Sequence, residues 1–249
     1  MAKQTGLGDR LYVDGFNLSG DIGSLGGIGG GNEPLPVTGI DKEAMERLGG
    51  LRDGQMEFTA YFNPATDQAH PVLAALPVAD RILTYLRGVA LGGHAASLLG
   101  KQIGYDPSRG DDGSLTFTVN AQANGFGIEW GHNLTAGIHT STGAEDLDGF
   151  DDGAGAATDF GLQAYLQVLA FDGTDADIVL EDSDDDGAGD AYAPITGAAF
   201  PTITDVGAHR IETGRTENVK EWIRASITGT YTSIDFVVVV VRNLTEVTF

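Results

Sequence analysis

Phe236 to Val241 reads FVVVVV, an unbroken apolar run in which five of six residues are β-branched. Branching at Cβ disfavours a helix and suits a pleated strand. Side chains alternate between the two faces of a strand, so such a run predicts a strand buried on both faces. Other segments carry the half-buried pattern. In Gln55 to Phe62, Met56, Phe58, Ala60 and Phe62 share one face; in Ser114 to Ala123, Leu115, Phe117, Val119 and Ala121 do. Leu11–Asp14, Arg81–Leu91, Ala95–Ile103 and Ile128–Leu134 add strands to the first half. Leu162–Phe171, Ala176–Leu180, Ala208–Thr213, Val219–Ile227 and Ser233–Arg242 add strands to the second. Closely spaced strands with few helices predict a mainly β protein.

Two helices are expected. Thr38 to Leu48 carries a capping Asp41 and good helix formers, and Gly49–Gly50 ends it. His70 to Leu76 has Pro71 near its start. Gly23 to Gly31 has no apolar period and reads as a long loop or arm.

At 249 residues the chain suits one large domain or two ordinary ones, and 41% hydrophobic residues suffice for real cores. Ser141 to Asp159 is Gly-rich and acidic and reads as a linker, dividing the chain into 1–143, a linker at 144–159, and a module at 160–249. The net charge of -22 is uneven: residues 1–143 hold 15 acidic and 9 basic side chains, residues 144–249 hold 21 and 5. Such a surface repels nucleic acid and anionic membranes, although DNA can still slide past it.

The absence of Cys excludes disulfides, zinc–thiolate sites and thiol catalysis. No apolar run reaches the roughly 20 residues of a membrane helix, and MAKQTGLGDR has no apolar signal region, so synthesis and folding in a cytoplasm are expected. The histidines His70, His94, His132, His139 and His209 show no metal-ligand spacing, and there is no G-x-S-x-G elbow. The Gly-rich stretch lacks a phosphate-loop pattern. No catalytic residue is assigned. Trp130 and Trp222 lie in strand-like runs and suit core or interface packing.

The sharpest local motif is DSDDDGAGD. Asp182, Asp184 and Asp186 alternate before Gly187, and Asp190 falls at position nine, as in a calcium loop. Position twelve is Ala193 rather than the bidentate Glu, and the flanks are strand-like. The competing reading is an acidic hairpin tip in water, and no other cofactor is implied.

The order of segments in the first 140 residues resembles the tail tube proteins of long-tailed bacteriophages, especially those infecting actinobacteria. LYVDGFNLSGDIGSL looks like their opening strand and exchange arm; VTGIDKEAMERLGGLRDGQMEFTAYFN looks like their helix and turn into a long strand; DRILTYLRG and GSLTFTVNAQANGFGIEWG match the next strand and closing hairpin. Phe160 to Asn243 resembles β-sandwich modules of virion proteins of such phages. The resemblance implies a β-sandwich or partial barrel with a flanking helix and a long exchange arm, followed by a small C-terminal β-sandwich.

It also implies a non-catalytic subunit in the virion tail, with hexameric rings stacked into a tube for DNA ejection. Its partners would be copies of itself, the tape measure, other tail proteins and DNA passing non-specifically, with no membrane binding. The arm, about 16–40, would contact neighbouring subunits through Gly20, Gly26, Gly31 and Pro36, mobile in a monomer and ordered in the assembly. Two faces become lumen candidates: Gln55, Glu57, Thr59 and Tyr61, and Ser114, Thr116, Thr118, Asn120 and Gln122. The module at 160–249 would fold alone and project outward. Alternatives are a capsid decoration or fibre protein, and a secreted carbohydrate-binding module.

Overall fold

The computed structural model describes residues 6–74, 80–153 and 157–246. The protein is mainly β. In chain order the elements are β1 (Arg10–Val13), β2 (Phe16–Asn17), β3 (Ile22–Pro36), β4 (Arg47–Tyr61), α1 (Ala69–Ala74), β5 (Arg81–Leu86), β6 (His94–Arg109), β7 (Leu115–Ala123) and β8 (Glu129–Asn133). There follow β9 (His139–Ser141), β10 (Glu145–Asp146), β11 (Phe150–Asp151), β12 (Leu162–Ser183), β13 (Ala193–Ala199), β14 (Gly207–Glu212) and β15 (Trp222–Arg242). All pairings are antiparallel and join the strands into one sheet that does not close into a barrel.

The second half is organised by one hairpin. β12 and β15 pair along their whole lengths, from Leu162↔Arg242 to Ser183↔Trp222. Register shifts between Val168 and Asp175 bend the pair, as bulges do. The two arms of the bend then face each other: Leu162, Leu166 and Val168 share a core with Ile178, Leu180 and Ile227. In the sequence each strand reads as two because the bend is polar and carries a glycine on both sides, Gly173 in β12 and Gly229 in β15. β13 carries no strand signal in the sequence, because its Pro194 and Gly197 break the pattern.

The first half packs β4 and β7 against β1, β5 and the first part of β6. Met56, Phe58, Val119 and Ala121 meet Leu11, Leu83 and Leu98. The flanking helix is α1, closing one end with Ala69, Val72 and Leu73; the Asp21 carboxylate accepts the Ala69 N–H at 3.0 Å and fixes its start. Ala75 and Leu76 of the expected helix lie outside the described residues.

The helix expected at Thr38–Leu48 does not form. Residues 37–46 make an exposed connection, and β4 has begun by Arg47. Here Thr38 serves a strand-to-strand turn: its Oγ1 accepts the Glu46 N–H at 2.9 Å, beside Val37 N–H to Glu46 O at 3.0 Å. Met45 and Leu48 have no surface to pack on, and helix propensity alone seldom sustains so short a helix. The loop expected at Gly23–Gly31 is also overturned, because β3 pairs with β4 from Ile22↔Ala60 to Pro36↔Arg47. The glycines there serve close approach: a Cβ on Gly30 would strike the Asp53 carbonyl.

The halves are joined through β8, which pairs with β15 at Val239↔Asn133 and with β6 at His94↔His132. From this join the sheet curls, bringing β2 against β12 and β14 against β5. Inside the curl Tyr12, Ile82, Leu86 and Ala95 pack on Tyr165, Val237 and Val239. The FVVVVV run is buried on both faces as its pattern requires: Phe236, Val238 and Val240 enter one core, Val237 and Val239 the other. The acidic segment 144–159 is not a free tether, since β10 and β11 pair with β15; its residues 154–156 lie outside the described residues.

Gln167 stitches the curl. Its Oε1 accepts the Gly15 N–H at 2.7 Å, and its Nε2 donates to Ile82 O and Thr84 Oγ1, both at 3.0 Å. Gly15 has a positive φ of 87°, and a Cβ there would meet Gly207 N at 2.7 Å and Val168 O at 2.8 Å, so only glycine fits. Gln167→Ala strands a buried N–H and should cost about 2 kcal/mol, read as a lower urea midpoint with an unchanged slope. A chain ending at residue 143 uncovers Tyr12, Ile82, Leu86 and Ala95. It is expected to bind an apolar dye and aggregate where the full chain stays monodisperse.

Candidate subunit-contact surface

Four strands of the first half form a sheet in the order β3-β4-β7-β6. Its inner face is the core just described. Its outer face is assembled by the β4·β7 register, which sets Gln55 opposite Gln122, Glu57 opposite Asn120, Thr59 opposite Thr118 and Tyr61 opposite Thr116. Directly paired antiparallel residues point to the same side. The two polar faces read separately in the sequence are therefore one surface. Ser114 stands apart from the strands, exposed at the turn before β7, where its N–H donates to Asp112 at 3.0 Å.

The pairing with β6 extends the surface to Lys101, opposite Gln122, and Asp106, opposite Thr118. Lys101 is the one cation among these facing residues, and its Nζ lies 3.1 Å from Asp80. Glu57 is half-buried where β3 carries glycine beside it, and Thr59 where it pairs with Ser24. A Cβ on Gly26 would stand 3.3 Å from the Glu57 Cγ, and one on Gly23 would stand 2.9 Å from the Tyr61 ring. Glycine in β3 thus makes room for the side chains of its neighbour.

Among the described residues both outer edges of this sheet are open: β3 pairs only with β4, and β6 beyond Gly100 only with β7, through Arg109. An open edge offers unpaired N–H and C=O groups to another chain. Past Gly30, β3 and β4 leave the body as a two-stranded ribbon. Leu35, Val37, Ile40, Met45, Leu48 and Leu51 are all exposed on it. Of the arm residues singled out in the sequence, Gly20 sits in the turn before β3, Gly26 lies in a bulge, and Gly31 and Pro36 pair with Asp53 and Arg47.

The acidic loop Asp182–Asp190 uses its carboxylates internally. Asp185 accepts the N–H groups of Gly189 and Asp190 at 2.7 and 3.0 Å. Asp190 accepts the Asp184 N–H at 2.9 Å and pairs with Lys220 at 2.6 Å, and Asp186 accepts the Tyr192 hydroxyl at 2.7 Å. Asp182 turns inward and accepts the Lys220 N–H at 3.0 Å. The four candidate ligands do not converge, and among the described residues no group of three His, Asp or Glu side chains is placed to hold a metal ion.

Elsewhere, strand pairing brings together residues that sequence spacing kept apart. The rings of His94 and His132 lie 5.2 Å apart, and burial, then His94, lowers the His132 pKa. A buried cluster joins the halves: Tyr165 donates to Glu129, and Arg210 grips Glu129 at 3.1 and 3.2 Å and stacks 3.7 Å over Phe126. Burial, then the Glu129 charge, pushes the Tyr165 pKa far up. Trp130 is exposed on β8, while Trp222 is half-buried.

No family model matches the chain, and no curated protein does. Among solved structures, the chain is similar to a component of the virion of a native gene transfer agent particle, at 14% identity over 51% of this chain and 98% of that one, with a TM-score of 0.39. It is similar to the Dit protein (gp 19.1) of phage SPP1, described as a hub adsorption apparatus in phages infecting Gram-positive hosts. That match has 11% identity over 94% of this chain and 99% of that one, with a TM-score of 0.33. A component of the phage p2 baseplate in its activated conformation matches at 8% identity over 94% of this chain and 98% of that one, with a TM-score of 0.33.

Burial raises the Asp182 pKa, outweighing the Lys220 N–H bond that lowers it. The folded state then holds this proton more tightly than the unfolded chain. The folded-state penalty is absent below the ordinary carboxylate pKa and grows as pH rises through the raised one. Asp182→Asn keeps an acceptor for the Lys220 N–H. It should melt above the parent at pH 7 and level with it near pH 3, as followed by thermal denaturation at both pH values.

Proposed function

We propose that this chain is a non-catalytic structural subunit of a bacteriophage virion, and within it the tail tube subunit. The observation that carries the reading is the β3-β4-β7-β6 sheet: apolar core behind, polar face in front, both edges open. Copies of such a sheet join edge to edge, β3 of one beside β6 of the next, and a ring of copies closes the edges. The six-fold ring of the tail tube resemblance is the expected closure. The ribbon then reaches past the ring to neighbouring copies, giving its exposed apolar residues a surface to cover them.

The polar face would line the lumen. DNA passing through slides freely only if the wall does not bind phosphate, since each Lys or Arg contact adds affinity. Glu57 and Asp106 face outward with uncharged Gln, Thr and Asn, and Lys101 has Asp80 beside it. The wall is thus neutral to acidic within the roughly 8 Å over which charge acts at physiological salt. The tape measure, other tail proteins and DNA would be its partners, and the virion tail its place.

Negative-stain micrographs of the purified protein should show rings with a central hole, stacked into tubes. Unstacked rings would indicate a hub-like virion subunit, and dispersed monomers would overturn assembly itself. Replacing residues 33–51 by Asn-Gly, across the pair Asn32↔Arg52, closes the ribbon with a tight hairpin turn. That variant should keep the parent's circular dichroism and melting point yet form no tubes.

A further inference from the structure

Beside the base of the ribbon lies a cleft of about 430 Å³, set between the halves of the chain. Its walls are Leu51, Phe126 and Phe160, with Arg52, Arg210 and Arg215 among its polar lining. Glu212 also lines it, 2.9 Å from Arg210. In a chain with only 14 basic residues against 36 acidic ones, three arginines at one cleft are a marked local concentration. Arg210 is held by Glu129, but Arg52 is exposed and has no ion pair among the described residues. The cleft therefore offers an apolar wall and an arginine in reserve to a ligand that is apolar and acidic together.

The tip of the ribbon has that chemistry. Val37, Ile40 and Met45 are exposed there, with Asp41, Glu43 and Glu46 among them and Lys42 the one cation. The tip is kept from its own cleft by the ribbon's hydrogen bonds, which continue to Pro36↔Arg47. Arg47 lies five residues beyond Arg52, which is about 17 Å of extended strand. We infer that the cleft is the acceptor for the ribbon tip of a second copy of this chain. The contact is head-to-tail, tip to cleft, so it leaves one tip and one cleft open on every pair and propagates. The inference rests on the subunit reading above and adds to it the acceptor surface.

A charge swap tests it. Arg52→Glu should raise the concentration needed for assembly at least tenfold in sedimentation velocity, and Arg52→Gln by less. Glu43→Arg with Glu46→Arg should do the same from the other side. All variants should keep the parent's circular dichroism and melting point, because these side chains are exposed. Combining Arg52→Glu with the two tip reversals should return assembly to within about threefold of the parent, as opposite charges again meet. If the parent assembles and Arg52→Glu assembles equally well, the cleft assignment is overturned while the subunit reading stands. If Arg52→Glu blocks assembly and the swap does not rescue it, the cleft takes some other acidic partner and the assignment is likewise overturned. A parent chain that stays monomeric contradicts the subunit reading and the acceptor with it.

Discussion

The double-sided burial of β15 is the constraint on which the rest depends. Phe236, Val238 and Val240 close the core of the second half, while Val237 and Val239 have nowhere to go but against the first. A strand segment buried on both faces, as Phe236–Val240 is, with one face against the first half, cannot belong to a module that hangs by a tether. The halves therefore share a core, and Gln167 and the Glu129–Arg210–Tyr165 cluster hydrogen-bond across it, while the Tyr12 hydroxyl is enclosed there without a partner among the described residues. Buried polar groups without partners are costly, so this seam fixes the alignment of the halves as well as joining them.

With its second half committed to this internal contact, the chain differs in how it treats its edges. Natural sheets blunt edges with proline, irregular pairing or covering elements. β13 carries Pro194 and an irregular register, and β14 comes against β5. The edges of β3 and of β6 beyond Gly100 carry irregularities too, bulges in both and Pro107 in β6, but among the described residues no other strand pairs along them. The open edges, the polar face between them and the apolar ribbon all belong to one sheet. That grouping gives the subunit reading its physical content.

Much of this was legible in the sequence, and the failures have definite causes. The FVVVVV run and the alternations in Gln55–Phe62 and Ser114–Ala123 announced strands and their faces, because the pattern of burial is local. That the two polar faces lie side by side was not legible, because register between distant strands is non-local. Gly23–Gly31 misled because glycine marks either mobility or close approach, and composition does not distinguish them; the Tyr61 and Glu57 side chains decide it. Thr38–Leu48 misled because helix formers without a packing surface do not make a helix. The spacing of Asp182 to Asp190 left metal ligands and an acidic hairpin tip both open, and it did not show that backbone N–H groups and Lys220 engage Asp182 and Asp190.

Amide hydrogen exchange, measured on the monomer and on the assembled particle, tests the central claim most directly. Unpaired edge amides exchange quickly, and pairing with another strand protects them. The account predicts that the amides of β3 and of Lys101–Arg109 not already bonded to β4 or β7 pass from fast to slow exchange on assembly, while those of β13 and β14 do not change. Protection gained on β13 or β14, with β3 and Lys101–Arg109 left as in the monomer, would contradict it.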